Sequence, residues 1–205
     1  MIESIDNSLQ IVVLLICAGI AVQRSIKYRS RSWTLLFFFF GSWVLGSIYW
    51  LMCLLFYDKT PQISAVSDLS WYASLLFLYL LLSRLAPYEG LKRKRFLPWA
   101  GPVFAAAMAM FFMLRGEILS NLVYAVFMGL LMFSSVRILS DGAVHRKQHF
   151  LAIVVLVLCL LEYALLVSSC FWTSDTLANP YYWFDFLITA CFPLIILATK
   201  KAVEP

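Results

Sequence analysis

Seven apolar runs, separated by short polar stretches, fill almost the whole of this 205-residue chain. They fall at about 7–23, 33–56, 69–86, 97–114, 119–138, 149–171 and 181–199, the first being the shortest. A helix needs about 20 apolar residues to cross the hydrocarbon core of a bilayer. In hydrocarbon the backbone must satisfy its own hydrogen bonds, and a single run of this length does so only as a helix. The expected fold is an all-α membrane protein: one domain over 1–205, a bundle of about seven transmembrane helices. Composition points the same way. The chain is 63% hydrophobic and 13% charged, where soluble domains are near half apolar and a quarter charged. These residues leave no room for a soluble kinase, cyclase or nuclease domain beside the bundle.

Basic residues give the orientation. Arg24, Lys27, Arg29 and Arg31 follow the first run; Arg84 and Lys92–Arg95 follow the third. Arg137, Arg146 and Lys147 follow the fifth, and Lys200 and Lys201 the seventh. Only Lys59 and Arg115 fall on the other side, each near an acid. Short loops rich in Lys and Arg face the cytoplasm, so the expected topology is N-out/C-in. Net charge is +5. Placed in these loops, it reads as a topology signal beside anionic lipid, with a cytoplasmic protein partner as a second use and no nucleic acid. The residues before the first run include Glu3 and Asp6 and no base, unlike the basic start of a cleaved signal peptide.

Prolines and small residues refine the helices. Pro98 and Pro102 sit in the first turns of the fourth run, and Asn179-Pro180 opens the seventh. Proline is tolerated there but is expected to kink a helix where Pro193 falls. Ser42/Gly46 and Gly101/Ala105/Ala109 are spaced for close helix approach. Packing within the chain is their usual service, and contact between copies in a homo-oligomer is the other.

Cofactor chemistry is not expected. Cys17, Cys53, Cys159, Cys170 and Cys191 all lie in apolar runs, with no CxxC pair or metal-ligand spacing. Cys53 and Cys170 fall near the outer ends of two helices, which raises a disulfide between them. His145 and His149 are placed in a cytoplasmic loop, away from any intramembrane haem. No apolar run holds a lysine for a retinal Schiff base. HExxH, GxSxG, P-loop and GxGxxG motifs are missing from the sequence, so no catalytic residue is named.

Two acids stand inside apolar runs: Glu162 near the middle of the sixth and Asp185 in the outer part of the seventh. An ionisable group in hydrocarbon is costly and marks a functional site by default. Asp68, Trp71 and Tyr72 open the third run, Tyr181 and Tyr182 open the seventh, and Trp50 lies at the same level. Together they predict an outer-half pocket with acidic and aromatic walls, suited to a small cationic or amphipathic molecule. Structural readings compete. Glu162 is equally placed to bond a neighbouring helix as a protonated acid. Asp185 is near enough the interface to be hydrated, and the rings fit an interfacial belt.

Three likenesses bear on function. Gly41-Ser42-Trp43-Val44-Leu45-Gly46-Ser47-Ile48-Tyr49-Trp50, followed by Asp68-Leu69-Ser70-Trp71-Tyr72, resembles the seven-helix sensory input modules that precede bacterial diguanylate cyclases and histidine kinases. The same stretch is similar to small Firmicutes membrane proteins of no assigned role. That implies a multi-pass protein of the bacterial plasma membrane. Glu162, with Tyr124, Met128 and Met132, resembles lysoplasmalogenase-like membrane hydrolases, although Ser47 stands where that family tends to have aspartate. Pro61-Gln62 is similar to the signature of PQ-loop transporters, in a single copy. The first expectation is a non-enzymatic module that binds its ligand from outside and signals through a partner. A small transporter built of two parallel three-helix halves, with Glu162 carrying a proton or cation, is the second. A lysolipid hydrolase is the third.

Overall fold

The computed structural model describes residues 2–57, 65–86, 96–115, 118–140 and 146–203. Seven α-helices make up the described residues: α1 Ile2–Tyr28, α2 Arg31–Tyr57, α3 Ala65–Leu85, α4 Ala100–Met113, α5 Ile118–Ser140, α6 Arg146–Phe171 and α7 Pro180–Val203. A 3₁₀ turn, Leu97–Trp99, leads into α4. Six of these helices are long and apolar enough to cross a membrane, and α4 is the exception. At 27 residues, α1 and α2 each run to about 40 Å. This is an all-helical chain compatible with a multi-pass membrane protein. Lys59, Pro61-Gln62, Lys92–Arg95 and His145 lie outside the described residues, as does the side chain of Arg146.

Helix packing closes a ring. Its order is α1, α2, α3, α5, α6, α7 and back to α1, while α4 packs chiefly against α5 beside the ring, with Ala109 and Phe112 reaching the cavity wall. Arg29 takes a left-handed backbone (φ 47°), which ends α1 and turns the chain into α2 within two residues. Ser120 at the start of α5 meets Tyr72 near the start of α3, and Arg137 near the end of α5 meets Ala86 just past α3. So α3 and α5 run parallel, and α4 returns the chain between them. The starts of α1, α3, α5 and α7 share one end, here the aromatic end. Arg24, Lys27, Arg84 and Lys200 mark the other, the basic end.

Small residues set the close approaches. A Cβ added at Gly101 would stand 2.6 Å from Met132 Cβ, and one at Gly46 would stand 2.8 Å from Trp71 Nε1. Both stripes therefore serve contacts within the chain, α4 on α5 and α2 on α3. The basic half of the ring is filled. Phe39, Phe40 and Phe192 are fully buried beside Leu78 and Met128, and Trp43 meets Phe192 edge-on at 5.0 Å.

Several expected boundaries move. The first helix runs through Ile2–Tyr28, not 7–23, so Glu3 and Asp6 are helical. Arg84 belongs to α3 and Arg137 to α5, and His149 lies in the first turn of α6 rather than in a loop. Cys53 and Cys170 are free thiols, as are the other three cysteines. Helix α7 continues through Pro193, which leaves the Thr189 carbonyl without its usual donor.

Arg137 is buried, and its Nη2 donates to the Ala86 carbonyl at 2.5 Å. Gln148 Nε2 donates to the Leu85 carbonyl at 2.7 Å. These side chains take up carbonyls that the end of α3 leaves without helical partners. Arg137→Met strands a buried carbonyl, so it is expected to cost about 2 kcal/mol of stability. The thermal midpoint of the detergent-solubilised protein checks this, and an unchanged midpoint refutes it.

Candidate functional site

Where the ring is not filled, it encloses a cavity of about 450 Å³. All eight residues singled out from the sequence line it: Trp50 from α2, Asp68, Trp71 and Tyr72 from α3, Glu162 from α6, and Tyr181, Tyr182 and Asp185 from α7. Trp43, Leu75, Ala125 and Leu166 complete much of the deeper wall. The cavity lies toward the aromatic end because the filled aromatic core occupies the other half.

Local structure explains each placement. Asn179 is buried and caps α7, with Oδ1 accepting from the Tyr181 backbone N–H at 3.0 Å. Pro180 then takes the first helical position, where its missing N–H costs nothing. That cap aims the first turn of α7, with both tyrosines, at the ring interior. Tyr182 also donates from its hydroxyl to Asp175 at 2.8 Å. On α2, Gly46 lets the indole of Trp71 lie against the helix backbone. Trp50 and Trp71 then meet with ring centroids 5.8 Å apart.

Every acid on the wall has a neutral donor. Glu3 accepts from Trp50 Nε1 at 3.2 Å, Asp68 from Ser120 Oγ at 3.4 Å, and Glu162 from Tyr124 Oη at 3.0 Å. Asp185 accepts from Gln10 Nε2 at 2.7 Å, and Ser47 Oγ donates in turn to Gln10 Oε1 at 3.2 Å. Among the described residues that line the cavity there is no Lys, Arg or His. Four carboxyl groups thus face one space whose described lining carries no basic side chain. In a medium of low dielectric, such a set favours positive charge strongly.

Behind this wall lies Asp6, only 1% exposed, with both carboxyl oxygens buried and lacking a donor. Its carboxyl stands next to that of Asp185. Two ionised carboxylates cannot donate to one another, so a proton or a cation is needed to join them.

Reading the sequence missed Glu3, Asn7 and Gln10, which bring α1 to the wall. The signal was present: spacings of four and three put all three on one helical face. Glu3 precedes the apolar run, and Asn7 and Gln10 are neutral residues at its start. Ser120 and Asn121 were missed as well, having only common polar identities to distinguish them. No group of three or more His, Cys, Asp or Glu side chains able to hold a metal occurs among the described residues.

The chain matches no protein-family model, no curated protein and no solved structure.

Proposed function

We propose that this protein is a seven-crossing, N-out/C-in membrane module that takes a small organic cation into its cavity from the outer side and signals through a partner. The carrying observation is four acids and six Trp or Tyr side chains other than Tyr124, Tyr163 and Trp43 around one space, with no basic residue among its described lining. Carboxylates supply charge, and the faces of Trp and Tyr add cation–π attraction of about 1–2 kcal/mol each when desolvated. A cavity of this volume suits a small molecule. The parallel course of α3 and α5 supports an odd number of crossings, and the basic residues support a cytoplasmic basic end. Anionic lipid and an acidic cytoplasmic partner are the contacts those basic residues suit.

The test is binding of tetramethylammonium to protein in nanodiscs. Glu162→Gln and Asp185→Asn should each weaken it by about tenfold, or about 1.4 kcal/mol. Affinity unchanged in both variants sinks the proposal.

A transport reading has one observation of its own. The ring is made of α1–α3 and α5–α7, and the cavity lies between these halves, as in transporters built of parallel repeats. On this reading Glu162 carries the coupling proton or cation. Uptake of labelled tetramethylammonium into proteoliposomes under an imposed proton gradient separates transport from binding alone.

A further inference from the structure

A second hollow lies outside the ring, between α4 and the α6–α7 pair, with a volume of about 510 Å³. Phe104 and Met108 of α4 form one wall, Leu160, Ala164 and Val167 of α6 another, and Phe184 of α7 closes one end. Its single side-chain hydroxyl besides that of Tyr163 belongs to Ser168, which donates to the Leu165 carbonyl at 2.7 Å. The groove is therefore apolar, and it sits on a helix wall that would face lipid.

Groove and cavity share two residues, Tyr163 and Trp172. Tyr163 is the partition. It is 3% exposed, meets Phe104 edge-on at 5.5 Å on the groove side, and meets Tyr124 edge-on at 6.0 Å on the cavity side. Tyr124 is the donor to Glu162. The Tyr163 hydroxyl is buried with no hydrogen-bond partner. A tyrosine normally spends its hydroxyl on a partner when buried. Here no hydrogen bond fixes the hydroxyl, and the ring is held only by its packing, chiefly against Phe104 and Tyr124.

We propose that the ligand is a single-chain cationic amphiphile, its head among the cavity carboxylates and its alkyl chain in this groove, passing Tyr163. This rests on the cation-binding reading above and specifies its ligand. Charge selects the class. A zwitterionic phospholipid would bring a phosphate toward four carboxyl groups, whereas an alkylammonium brings only positive charge. Continuity selects the route, because the apolar groove abuts the acidic cavity across one side chain. The groove also gives such a molecule a sideways path from the bilayer, where its chain already resides.

The probe is a dodecyltrimethylammonium carrying a diazirine near the chain end, photolysed with the whole protein in phosphatidylcholine nanodiscs and mapped by mass spectrometry. Labelling is expected on α4 and α6 at the groove, reduced at least fivefold by excess tetramethylammonium. Ala164→Trp, or Leu160→Trp at the groove rim, should remove the labelling while leaving tetramethylammonium binding intact. Labels scattered around the outer helix faces, or labels that tetramethylammonium does not displace, overturn the groove assignment. Loss of tetramethylammonium binding by the unsubstituted protein overturns the cation reading itself, so the two failures are told apart.

Discussion

Asp6→Asn is expected to make the protein more stable and less able to bind a cation. Removing a buried acid usually costs stability, since its partners lose their bonds. Asp6 is different: no donor reaches either of its oxygens, and the Asp185 carboxyl is its neighbour. An asparagine amide brings two N–H donors to the same place, so it joins the Asp185 carboxylate with no proton or cation between them. Satisfying a buried polar group is worth about 1–3 kcal/mol, and that gain should raise the thermal midpoint. The same amide engages Asp185, which lines the cavity, so tetramethylammonium should bind several-fold more weakly. Thermal unfolding and a binding isotherm on one preparation check both halves. A lower midpoint with unchanged affinity would make Asp6 a structural acid. A gain in stability bought with lost affinity is what a functional site retains against the interest of the fold.

Gly101→Ala is expected to cost about 3 kcal/mol, at the top of the range for overpacking. The added Cβ would meet Met132 Cβ at 2.6 Å, the Met132 carbonyl carbon at 3.0 Å and the Phe133 nitrogen at 3.0 Å. Two of these atoms are backbone, so no side chain can swing away to make room. The seam between α4 and α5 must open instead, and α4 makes most of its contacts there. Gly129→Ala on the facing helix is the control, since its nearest atoms stand at 3.5 Å, an ordinary contact. Gly19→Ala meets nothing within 4 Å and should be neutral or slightly stabilising through helix propensity. The thermal midpoints should rank Gly101→Ala far below the other two. Because α4 carries one wall of the groove, this variant should also lose the alkyl-chain labelling. If all three substitutions behave alike, the α4–α5 seam is looser than its geometry implies.

Much of the site was legible because its residues break a rule. Glu162 and Asp185 are acids inside apolar runs, and such residues are conspicuous wherever the surroundings are hydrocarbon. The aromatic residues at the openings of α3 and α7 were placed by their level along the helices. The polar face of α1 was not, because Glu3 and Asp6 precede the apolar run in the sequence. Polar residues next to the end of an apolar run read the same way whether they lie in water or extend the helix into a protein cavity. Only the neighbours decide which, and Asp185 and Trp50 are those neighbours. A basic residue at the end of an apolar run likewise suggests a loop, yet Arg137 turns inward to the Ala86 carbonyl just past α3. A one-dimensional reading gives a residue's depth and not its bearing.

From sequence alone come the helices and their approximate ends, since length and apolarity are local properties that the bilayer constraint turns into structure. The expected cavity residues came with them, as a set sharing one depth. The tertiary structure decided the rest. It closed six helices into a ring with α4 beside it, paired Gln10 with Asp185 and Tyr124 with Glu162, and left Asp6 without a donor. Those outcomes depend on which helix faces meet, and facing is set by close packing between segments far apart in the chain. Beyond the first turns of α1 the helices are apolar nearly all round, so little in the sequence marks which side of each turns inward.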